Sequence, residues 1–573
     1  MRAAISAPPA FAPNARHART LAVVVRLALV LAWAAPAARA QWLPQGTPVD
    51  VQNGNHHGPR VVADGAGGAF VAWQHPSPGA KLRRQHLDAL GAPVTGWPVG
   101  GIPVTSGLVP QALAGVGPDG SGGIVLGWVE GQQLRAVCLA PDGTPVVGWA
   151  AGGNVLLTLS SGPNHVELIS GFTADLQGGA WFTQHVSDQP CPDICYAGSA
   201  EYLYHVASTG AVDPSHPGVA GSNFSFGAGA GIGALAAGQA LVVGTNGPAQ
   251  TGTLHRYSSA NGFAWSASIG PGNLNVLAMD DDGAGGAIAA TMAAFNVIPP
   301  RVLRRDATGG VPLGWPETGV PIRNPEVAPV ELTGTGDGAD GMLVFWSEAA
   351  GPRHDLRMQR VLASGSFAPG WPTAGVLVNA APGYHDQLRI SADGTGGAFV
   401  AWRDRRADAE GDIFAARVLG NGTLDPAFPP NGTAVAMLTG RQAGLSLATV
   451  STGHAIVAWE DSRNAANGVI YAQRLPVPGT LDVAPRSAEV SFAGFVPNPS
   501  RTSPHVACEL PRASDATLEL FDVAGRLVHR ETFIGLAPGP HRLPLAQALS
   551  PGLYLLRLRA AGHVRTARGL ITR

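Results

Sequence analysis

Charged side chains gather at two equivalent points of this chain, each directly after an apolar run that ends in tryptophan. One group is Arg403-Asp404-Arg405-Arg406-Ala407-Asp408-Ala409-Glu410, and the other is Glu460-Asp461-Ser462-Arg463-Asn464. Carboxylates beside guanidiniums suit a polar ligand, and the planar arginine fork suits the carboxylate of an anionic sugar. The candidate ligand-binding residues are therefore Arg403, Asp404, Arg406, Asp461 and Arg463.

A structural interpretation competes with this one. Asp404 with Arg406, and Asp461 with Arg463, are also expected to pair locally and stiffen a hairpin. Because the Asp-x-Arg pattern occurs in more than one repeat, recurrence favours the scaffold over a ligand site. A basic third-strand position recurs for the same reason and is read as structural: His86, His205, Arg305, Arg360, Arg417 and Arg474.

The remaining reactive side chains give weaker patterns. Cys191 and Cys195 flank a short insertion and are a disulfide candidate in an oxidising compartment. No metal site and no cofactor are predicted. Calcium is considered only at 280–283, where consecutive aspartates do not alternate along the chain as calcium ligands do. The pair His56-His57 lacks a metal-ligand context and is expected to be solvated. No catalytic residue can be assigned by spacing.

A repeated phrase indicates the element that positions these groups. Asp-Gly-x-Gly-Gly followed by an apolar run to tryptophan occurs at 64–73, 119–128 and 393–402, with looser copies between and after them. Asp-Gly between apolar runs is a hairpin signal. Each unit of about 55 residues then continues with an amphipathic run and a short fourth run. Four antiparallel strands per repeat are typical of a β-propeller blade.

The repeats predict about eight blades, with seven as the alternative because the fourth repeat is degenerate. The last repeat lacks a fourth run, and the segment 46–51 matches that pattern. We therefore expect the N-terminal strand to complete the last blade and close the ring. Closure would also remove two exposed sheet edges. The main body thus resembles a secreted bacterial β-propeller repeat protein.

The ends of the chain indicate its destination. Residues 1–40 read as a secretory signal peptide, with arginines, an apolar stretch from Leu21 to Ala35 and the cleavage pattern Ala38-Arg39-Ala40. No later stretch is apolar enough to be an anchor. Charged residues are 13% and the net charge is −2, so a basic nucleic-acid surface is not expected. The propeller is assigned to 41–483 and a C-terminal domain to 484–573.

The C-terminal domain combines several motifs in a fixed order. It contains Val496-Pro497-Asn498-Pro499, the hairpin Asp522-Val523-Ala524-Gly525-Arg526, and Gly552-Leu553-Tyr554 before the penultimate strand. Strands joined by glycine turns indicate a small β-sandwich. The motifs resemble the type A C-terminal sorting domain of type IX secretion cargo, and equally the immunoglobulin-like domain of flagellar hook-capping proteins. The resemblance implies a bacterial exported protein whose tail is read by outer-membrane secretion machinery.

These observations predict an all-β, secreted or cell-surface protein. Non-catalytic binding of a glycan or a protein is the main functional expectation. A carbohydrate-active hydrolase or lyase on the propeller face is one alternative, and a purely structural surface protein is the other. Buried carboxylates with shifted pKa values near the ring axis would favour the enzyme.

Overall fold

The described part of the chain consists of β-strands and their connections. The computed structural model describes residues 42–572 except 51–53, 76–80, 108, 163–164, 188–198, 222–231, 236–237, 247–250, 271–273, 294–298, 323–328, 352, 408, 464–467, 478–489, 497, 499, 501–504, 511–513, 537–538 and 546–548. Within these ranges, no helix has the length and apolar character that crossing a membrane requires. The chain divides into two compact units, Met1–Pro478 and Gly479–Arg573.

The described residues of the first unit form thirty-three strands, most of them four to ten residues long. In chain order they are β1 (Thr47–Pro48), β2 (His57–Ala63), β3 (Ala69–His75), β4 (Lys81–Leu87), β5 (Ile102–Pro103), β6 (Gln111–Pro118), β7 (Ile124–Glu130), β8 (Gln133–Leu139), β9 (Asn154–Thr158), β10 (Ser161–Gly162), β11 (His165–Ala174), β12 (Ala180–Ser187), β13 (Ser199–Val206), β14 (Val212–Gly221), β15 (Ile232–Leu235), β16 (Gln239–Asn246), β17 (Thr251–Ser258), β18 (Gly262–Gly270), β19 (Leu274–Asp281), β20 (Ala287–Ala293), β21 (Arg301–Arg305), β22 (Val320–Pro321), β23 (Pro329–Gly336), β24 (Met342–Ala350), β25 (Arg353–Val361), β26 (Val376–Asn379), β27 (His385–Ala392), β28 (Ala398–Asp404), β29 (Asp412–Val418), β30 (Thr433–Ala436), β31 (Gln442–Ser451), β32 (His454–Asp461) and β33 (Val469–Leu475).

These strands form eight antiparallel sheets, which are the blades of a β-propeller. Blades 1 to 7 are β2–β5, β6–β9, β10–β14, β15–β18, β19–β22, β23–β26 and β27–β30, and blade 8 is β31–β33 with β1. The strand of each blade that contacts the equivalent strand of the next blade is called its innermost strand. From blade 1 to blade 8, the innermost strands are β2, β6, β11, β15, β19, β23, β27 and β31, and β31 contacts β2. The ring therefore has eight blades, and the seven-blade alternative is wrong.

The ring closes through the N-terminal strand, as the missing fourth run predicted. In blade 8, β1 pairs with β33 through Thr47 opposite Ala472 and Pro48 opposite Tyr471. The backbone N–H of Val49 donates to the carbonyl of Ile470 at 2.9 Å. Chain segments far apart in sequence thus complete one sheet, which leaves no open edge at the junction.

The repeated phrase forms the turn of each first hairpin. Asp64 Oδ1 accepts the N–H groups of Ala66 at 2.7 Å and Gly68 at 2.9 Å, and its Oδ2 lies 3.0 Å from His86 Nε2 on the third strand. The same turn and a basic third-strand partner recur in blades 3, 5, 6 and 7 at Asp175, Asp282, Asp337 and Asp393. The aspartate therefore links the turn to the third strand.

One expectation about this position is off by a residue. In blade 5 the partner of Asp282 is Arg304, whose guanidinium lies 3.1 Å from the carboxylate. Arg305, the residue predicted from sequence, donates instead to the carbonyls of Arg304 and Ser268. The register explains this, because Arg304 opposes Ile288 just as His86 opposes Phe70.

In the second unit, the residues that the structure describes form seven strands around an apolar core. They are β34 (Ser491–Val496), β35 (His505–Leu510), β36 (Ser514–Phe521), β37 (Leu527–Leu536), β38 (Gly539–Pro544), β39 (Gly552–Ala560) and β40 (His563–Ile571). They form two sheets, β34-β35-β38 and β37-β36-β39-β40. Buried side chains from both sheets, among them Val506, Leu518 and Leu556, share one core.

Candidate functional site

The predicted charged residues lie on one face of the ring. First strands begin there and second strands end there, because His385 at the start of β27 pairs with Asp404 at the end of β28. Gln442 and Asp461 pair in the same way in blade 8. We call this side the upper face. The Asp-Gly hairpins lie at the opposite ends of the same strands.

Four of the five predicted ligand residues form two local pairs, Asp404 with Arg406 and Asp461 with Arg463. Asp404 Oδ2 accepts the indole N–H of Trp402 at 2.9 Å and the guanidinium of Arg406 at 2.5 Å. Arg406 lies 4.2 Å above the ring of Phe414 and donates to the carbonyl of Asn431 at 3.0 Å. The Arg406 side chain thus joins the second strand to the segment before the fourth strand.

Blade 8 repeats this arrangement. Asp461 Oδ2 accepts Trp459 Nε1 at 2.8 Å and Arg463 Nη2 at 2.5 Å. Arg463 lies 3.9 Å from the centroid of Tyr471 and donates to the carbonyl of Gln45 at 2.7 Å, so it holds the approach to the closing strand. This geometry matches the scaffold interpretation, and a ligand role for these four residues stays a prediction.

Arg403 has a different partner. Its Nε and Nη2 bind Oδ1 and Oδ2 of Asp386, both at 2.6 Å, in a bidentate ion pair. Arg405 Nη2 reaches the same carboxylate at 3.2 Å, and its guanidinium lies 5.5 Å from the ring of Tyr384. Asp386 is the second residue of β27, and its side chain is 16% exposed. The two guanidiniums fix this carboxylate at the upper face.

A second carboxylate reaches toward this group from the neighbouring blade. Glu331, near the start of β23, accepts the backbone N–H of Gln387 at 2.8 Å and of Leu388 at 2.9 Å. These amides lie in an irregularity of β27 that leaves them out of the ladder with β28. Burial raises the pKa of Glu331, and the negative charge of Asp386 raises it further, while the two amides and Arg389 lower it.

Glu331 and Asp386 were missed by the sequence interpretation. Neither lies in a charged cluster, because each stands alone at the start of an innermost strand. Their proximity depends on the packing of blade 6 against blade 7, which no local pattern encodes. The sequence gives no signal for their proximity, because Asp386 and Gln387 only extend the polar start of the first run of blade 7.

The aspartates considered for calcium separate to different partners. Asp280 Oδ2 accepts the N–H of Gly336 at 3.0 Å, Asp281 pairs with Arg256 at 2.9 Å, and Asp282 belongs to the hairpin turn. Burial raises the pKa of Asp280. These three side chains do not converge on one point.

The described cysteines are poor nucleophiles. Cys138 and Cys508 are buried free thiols, and burial raises their pKa values to about 12 and about 11 respectively. A nucleophilic cysteine needs a lowered pKa. The predicted disulfide candidates, Cys191 and Cys195, lie outside the described residues.

Two serine–histidine contacts do not have the geometry of a catalytic triad. Ser160 Oγ lies 3.0 Å from His165 Nε2, but Glu167 binds that same nitrogen at 2.9 Å. A triad needs the serine and the carboxylate on opposite ring nitrogens. Ser347 Oγ lies 3.4 Å from His354 Nδ1 and is fully buried. Neither contact supports a nucleophilic serine.

The expectation that His56 is solvated is wrong. Its side chain is 1% exposed and lies with Asp50 and His75 at the junction of blades 8 and 1. His57, the next residue, is exposed. The sequence pattern failed here because Asp50 and His75 reach His56 only after the ring has closed.

Comparisons with known proteins assign no family to the chain. No family model and no curated protein matches it. It is similar to a puromycin hydrolase structure at 15% identity over 75% of this chain and 63% of that one, with a TM-score of 0.37. A prolyl endopeptidase structure matches at 12% identity over 78% and 59%, with a TM-score of 0.38. The chain therefore spans less than two-thirds of either protein.

A third match is to an isolated propeller. The β-propeller domain of the Trilobed protease from Pyrococcus furiosus is 6% identical over 67% of this chain and all of that one, with a TM-score of 0.38. That domain is described as having an open velcro topology. In the present chain β1 pairs with β33 across the ring closure.

These comparisons correct the main functional expectation, which was non-catalytic binding of a glycan or a protein. The first two matches are described as a hydrolase and as endopeptidases, so the hydrolase alternative agrees with them better. At TM-scores below 0.5 they transfer no substrate and no residue role to this chain. The catalytic alternative therefore depends on the side chains of the upper face alone.

Proposed function

We propose that this protein is a carbohydrate-active hydrolase whose acid and base are Glu331 and Asp386. The observation that carries the proposal is the pair of carboxylates on the innermost strands of blades 6 and 7, placed in unlike environments. Hydrolysis of a glycosidic bond by general acid–base catalysis uses two such carboxyl groups with different protonation states.

Glu331 fits the role of general acid. It is half-buried, and burial raises its pKa, so the carboxyl group keeps its proton to a higher pH than an exposed glutamate. A protonated carboxyl can donate to the glycosidic oxygen as the bond to the anomeric carbon breaks. The two backbone amides of blade 7 hold the group in one orientation.

Asp386 fits the role of base or nucleophile. Its carboxylate accepts three bonds from Arg403 and Arg405. A carboxylate has about four lone-pair sites, so room remains for an attacking water. The exposed ring of Tyr384, with Arg405 beside it, offers a flat surface next to a positive charge. This combination suits a sugar bearing a carboxylate.

A polysaccharide panel tests the proposal. Purified protein is incubated with neutral and uronic-acid-containing polysaccharides, and products are measured by reducing ends and mass spectrometry. We expect saturated oligosaccharides from an acidic substrate and none from the Glu331→Gln/Asp386→Asn double variant. Unsaturated products would indicate a lyase. Equal cleavage by the double variant, or no cleavage across the panel, would contradict a hydrolase built on this pair.

We also propose that the protein is exported and that residues 484–573 are read by outer-membrane secretion machinery. The support is the signal-peptide pattern of residues 1–40 and the motif order of the C-terminal domain. The C-terminal residues belong to a compact unit with its own core, as expected of a sorting domain that folds independently of the propeller. The propeller is then the cargo that this unit carries out of the periplasm.

Removal of residues 484–573 should stop surface display or release. The propeller should still fold, because its sheets and closing strand lie within the first unit. Fractionation of the native host measures whether the truncated protein is still released. Thermal unfolding of the truncated protein measures whether the propeller still folds. The reciprocal control fuses 484–573 to an unrelated periplasmic passenger, which should then be released. Normal release of the truncated protein would remove the sorting role.

A further inference from the structure

A polar trio recurs where one blade meets the next. It combines a residue at or after the fourth strand, a residue at or just before the start of the next innermost strand, and the residue two positions after the buried second-strand tryptophan. The trios at three junctions are Thr105, Gln111 and Glu130; Asn379, His385 and Asp404; and Asp50, His56 and His75. The same position of the repeat thus carries different chemistry at different junctions.

In the trios of Glu130 and Asp404, the three side chains contact one another through hydrogen bonds and, for Asp404, a close imidazole–carboxylate contact. Glu130 accepts Thr105 Oγ1 at 3.1 Å and Gln111 Nε2 at 2.9 Å. Asp404 accepts Asn379 Nδ2 at 3.4 Å and lies 3.3 Å from His385 Nδ1, and Asn379 contacts His385 at 3.2 Å. In each case one carboxylate faces two groups that can donate to it, and the histidine of the second trio also bonds Asn379 and the carbonyl of Ala381 through Nε2.

The trio at the ring closure has a different composition. Its third position, an acid elsewhere, is His75, and the carboxylate belongs to Asp50 just after the closing strand. Asp50, His56 and His75 are 0%, 1% and 8% exposed, and the two imidazole centroids are 4.3 Å apart. One ligand atom from each residue lies within 4.8 Å of the other two.

A second observation concerns His56 alone. Its Nδ1 lies 3.1 Å from Asp50 Oδ2 without hydrogen-bond geometry, and both ring nitrogens are buried with no hydrogen-bond partner among the described residues. A buried polar atom without a partner destabilises the folded state. Two imidazoles and one carboxylate are a donor set that zinc accepts. Tetrahedral zinc bonds of about 2.0–2.1 Å would bring these ligand atoms to about 3.4 Å from one another, a small side-chain rotation.

We infer that Asp50, His56 and His75 bind one Zn²⁺ ion at the junction of blades 8 and 1. Water supplies the remaining coordination position. Trp73 Nε1, which donates to Asp50 Oδ2 at 3.1 Å, and Arg83, 3.7 Å from the same oxygen, orient the carboxylate from the second layer. The site is distinct from Glu331 and Asp386, and its failure would leave the proposed hydrolase untouched.

The zinc ion would connect the closing strand of blade 8 to blade 1. Asp50 follows β1, which belongs to blade 8, whereas His56 and His75 belong to blade 1. A metal bridging them links the closing strand directly to the next blade. Binding to the folded state alone raises stability with metal concentration. The closure would therefore depend on zinc as well as on the β1–β33 pairing.

Metal analysis of the full-length protein, purified without a metal-affinity tag, tests this inference. We expect about one zinc per chain by mass spectrometry, removal by a chelator with a fall of several degrees in Tm, and recovery when zinc is added. His56→Gln and His75→Gln should lose the zinc and its effect on Tm. His385→Gln, which changes the equivalent histidine of a hydrogen-bonded trio, should keep both.

Cobalt substitution keeps the test informative if a variant fails to fold. Wild-type protein loaded with Co²⁺ should show the visible absorption of a four-coordinate site with nitrogen and oxygen ligands. Absence of that spectrum together with no response of Tm to zinc would overturn the site. So would equal zinc content in wild type and the folded His56→Gln variant, which would indicate adventitious binding elsewhere.

Discussion

The Glu331→Gln variant is expected to lose hydrolytic activity by roughly 10²–10⁴-fold in kcat, the usual contribution of a general acid. An amide of the same shape cannot give a proton to the leaving oxygen. The amide would also have one oxygen for two backbone N–H groups, since Gln387 and Leu388 each bind a different oxygen of the native carboxylate. That mismatch costs about 1 kcal/mol of stability, so activity and unfolding are measured on the same sample.

The pH dependence separates catalysis from structure. Wild-type activity should fall as pH rises through the raised pKa of Glu331, because the acid is then ionised. The variant should lack that alkaline limb. The contribution of Glu331 to the free energy of unfolding should also fall as pH rises. A carboxyl whose pKa is higher in the folded state favours folding while protonated, and the increment is lost as pH rises through that pKa.

Glu348→Gln is the matched control. Glu348 lies in the same blade, where it pairs with Arg357 at 2.8 Å and accepts the indole N–H of Trp346 at 3.0 Å. Its replacement should change kcat by no more than about twofold, because it takes part in no proton transfer. A similar loss in both variants, or an unchanged alkaline limb in Glu331→Gln, would assign Glu331 to blade packing alone.

Local patterns predicted the scaffold because the scaffold is local. The Asp64 turn, the apolar run to Trp73 and the pairing of Asp404 with Arg406 each lie within a few residues of sequence or one hairpin. The closing strand was predictable for a different reason. The last repeat lacked a fourth run, and a propeller leaves only one place for the unmatched segment.

The candidate site could not be predicted in the same way. Glu331 reaches amides more than fifty residues away, and Asp50 meets His56 and His75 only when blade 8 packs against blade 1. Such contacts depend on the irregular start of several innermost strands, where backbone amides leave the ladder and bind side chains of the preceding blade. A one-residue difference also matters on the third strand of blade 5, where Arg304 and not Arg305 faces Asp282.

Ring closure also depends on a glycine that packs against a tryptophan. Gly46 precedes β1 with φ of 98°, and a Cβ there would overlap the indole of Trp459. Four other blades repeat the contact, with a positive-φ glycine before the fourth strand covering the buried second-strand tryptophan: Gly101, Gly153, Gly375 and Gly432. The short fourth strand can approach the third strand only because the glycine places no side chain between the backbone and the indole of the tryptophan.

Gly46→Ala should therefore destabilise the propeller by about 3 kcal/mol, from left-handed backbone strain of roughly 1–2 kcal/mol and overpacking of roughly 1–3 kcal/mol. Gly96→Ala isolates the first contribution, because Gly96 has φ of 93° and no atom within 4 Å of its added Cβ. Denaturant unfolding followed by tryptophan fluorescence, at fixed zinc, should give a difference of about 2 kcal/mol between the two variants. Equal costs would mean that the Trp459 ring moves freely, and that β1 closes the ring by its backbone pairing with β33 and not by packing on the indole.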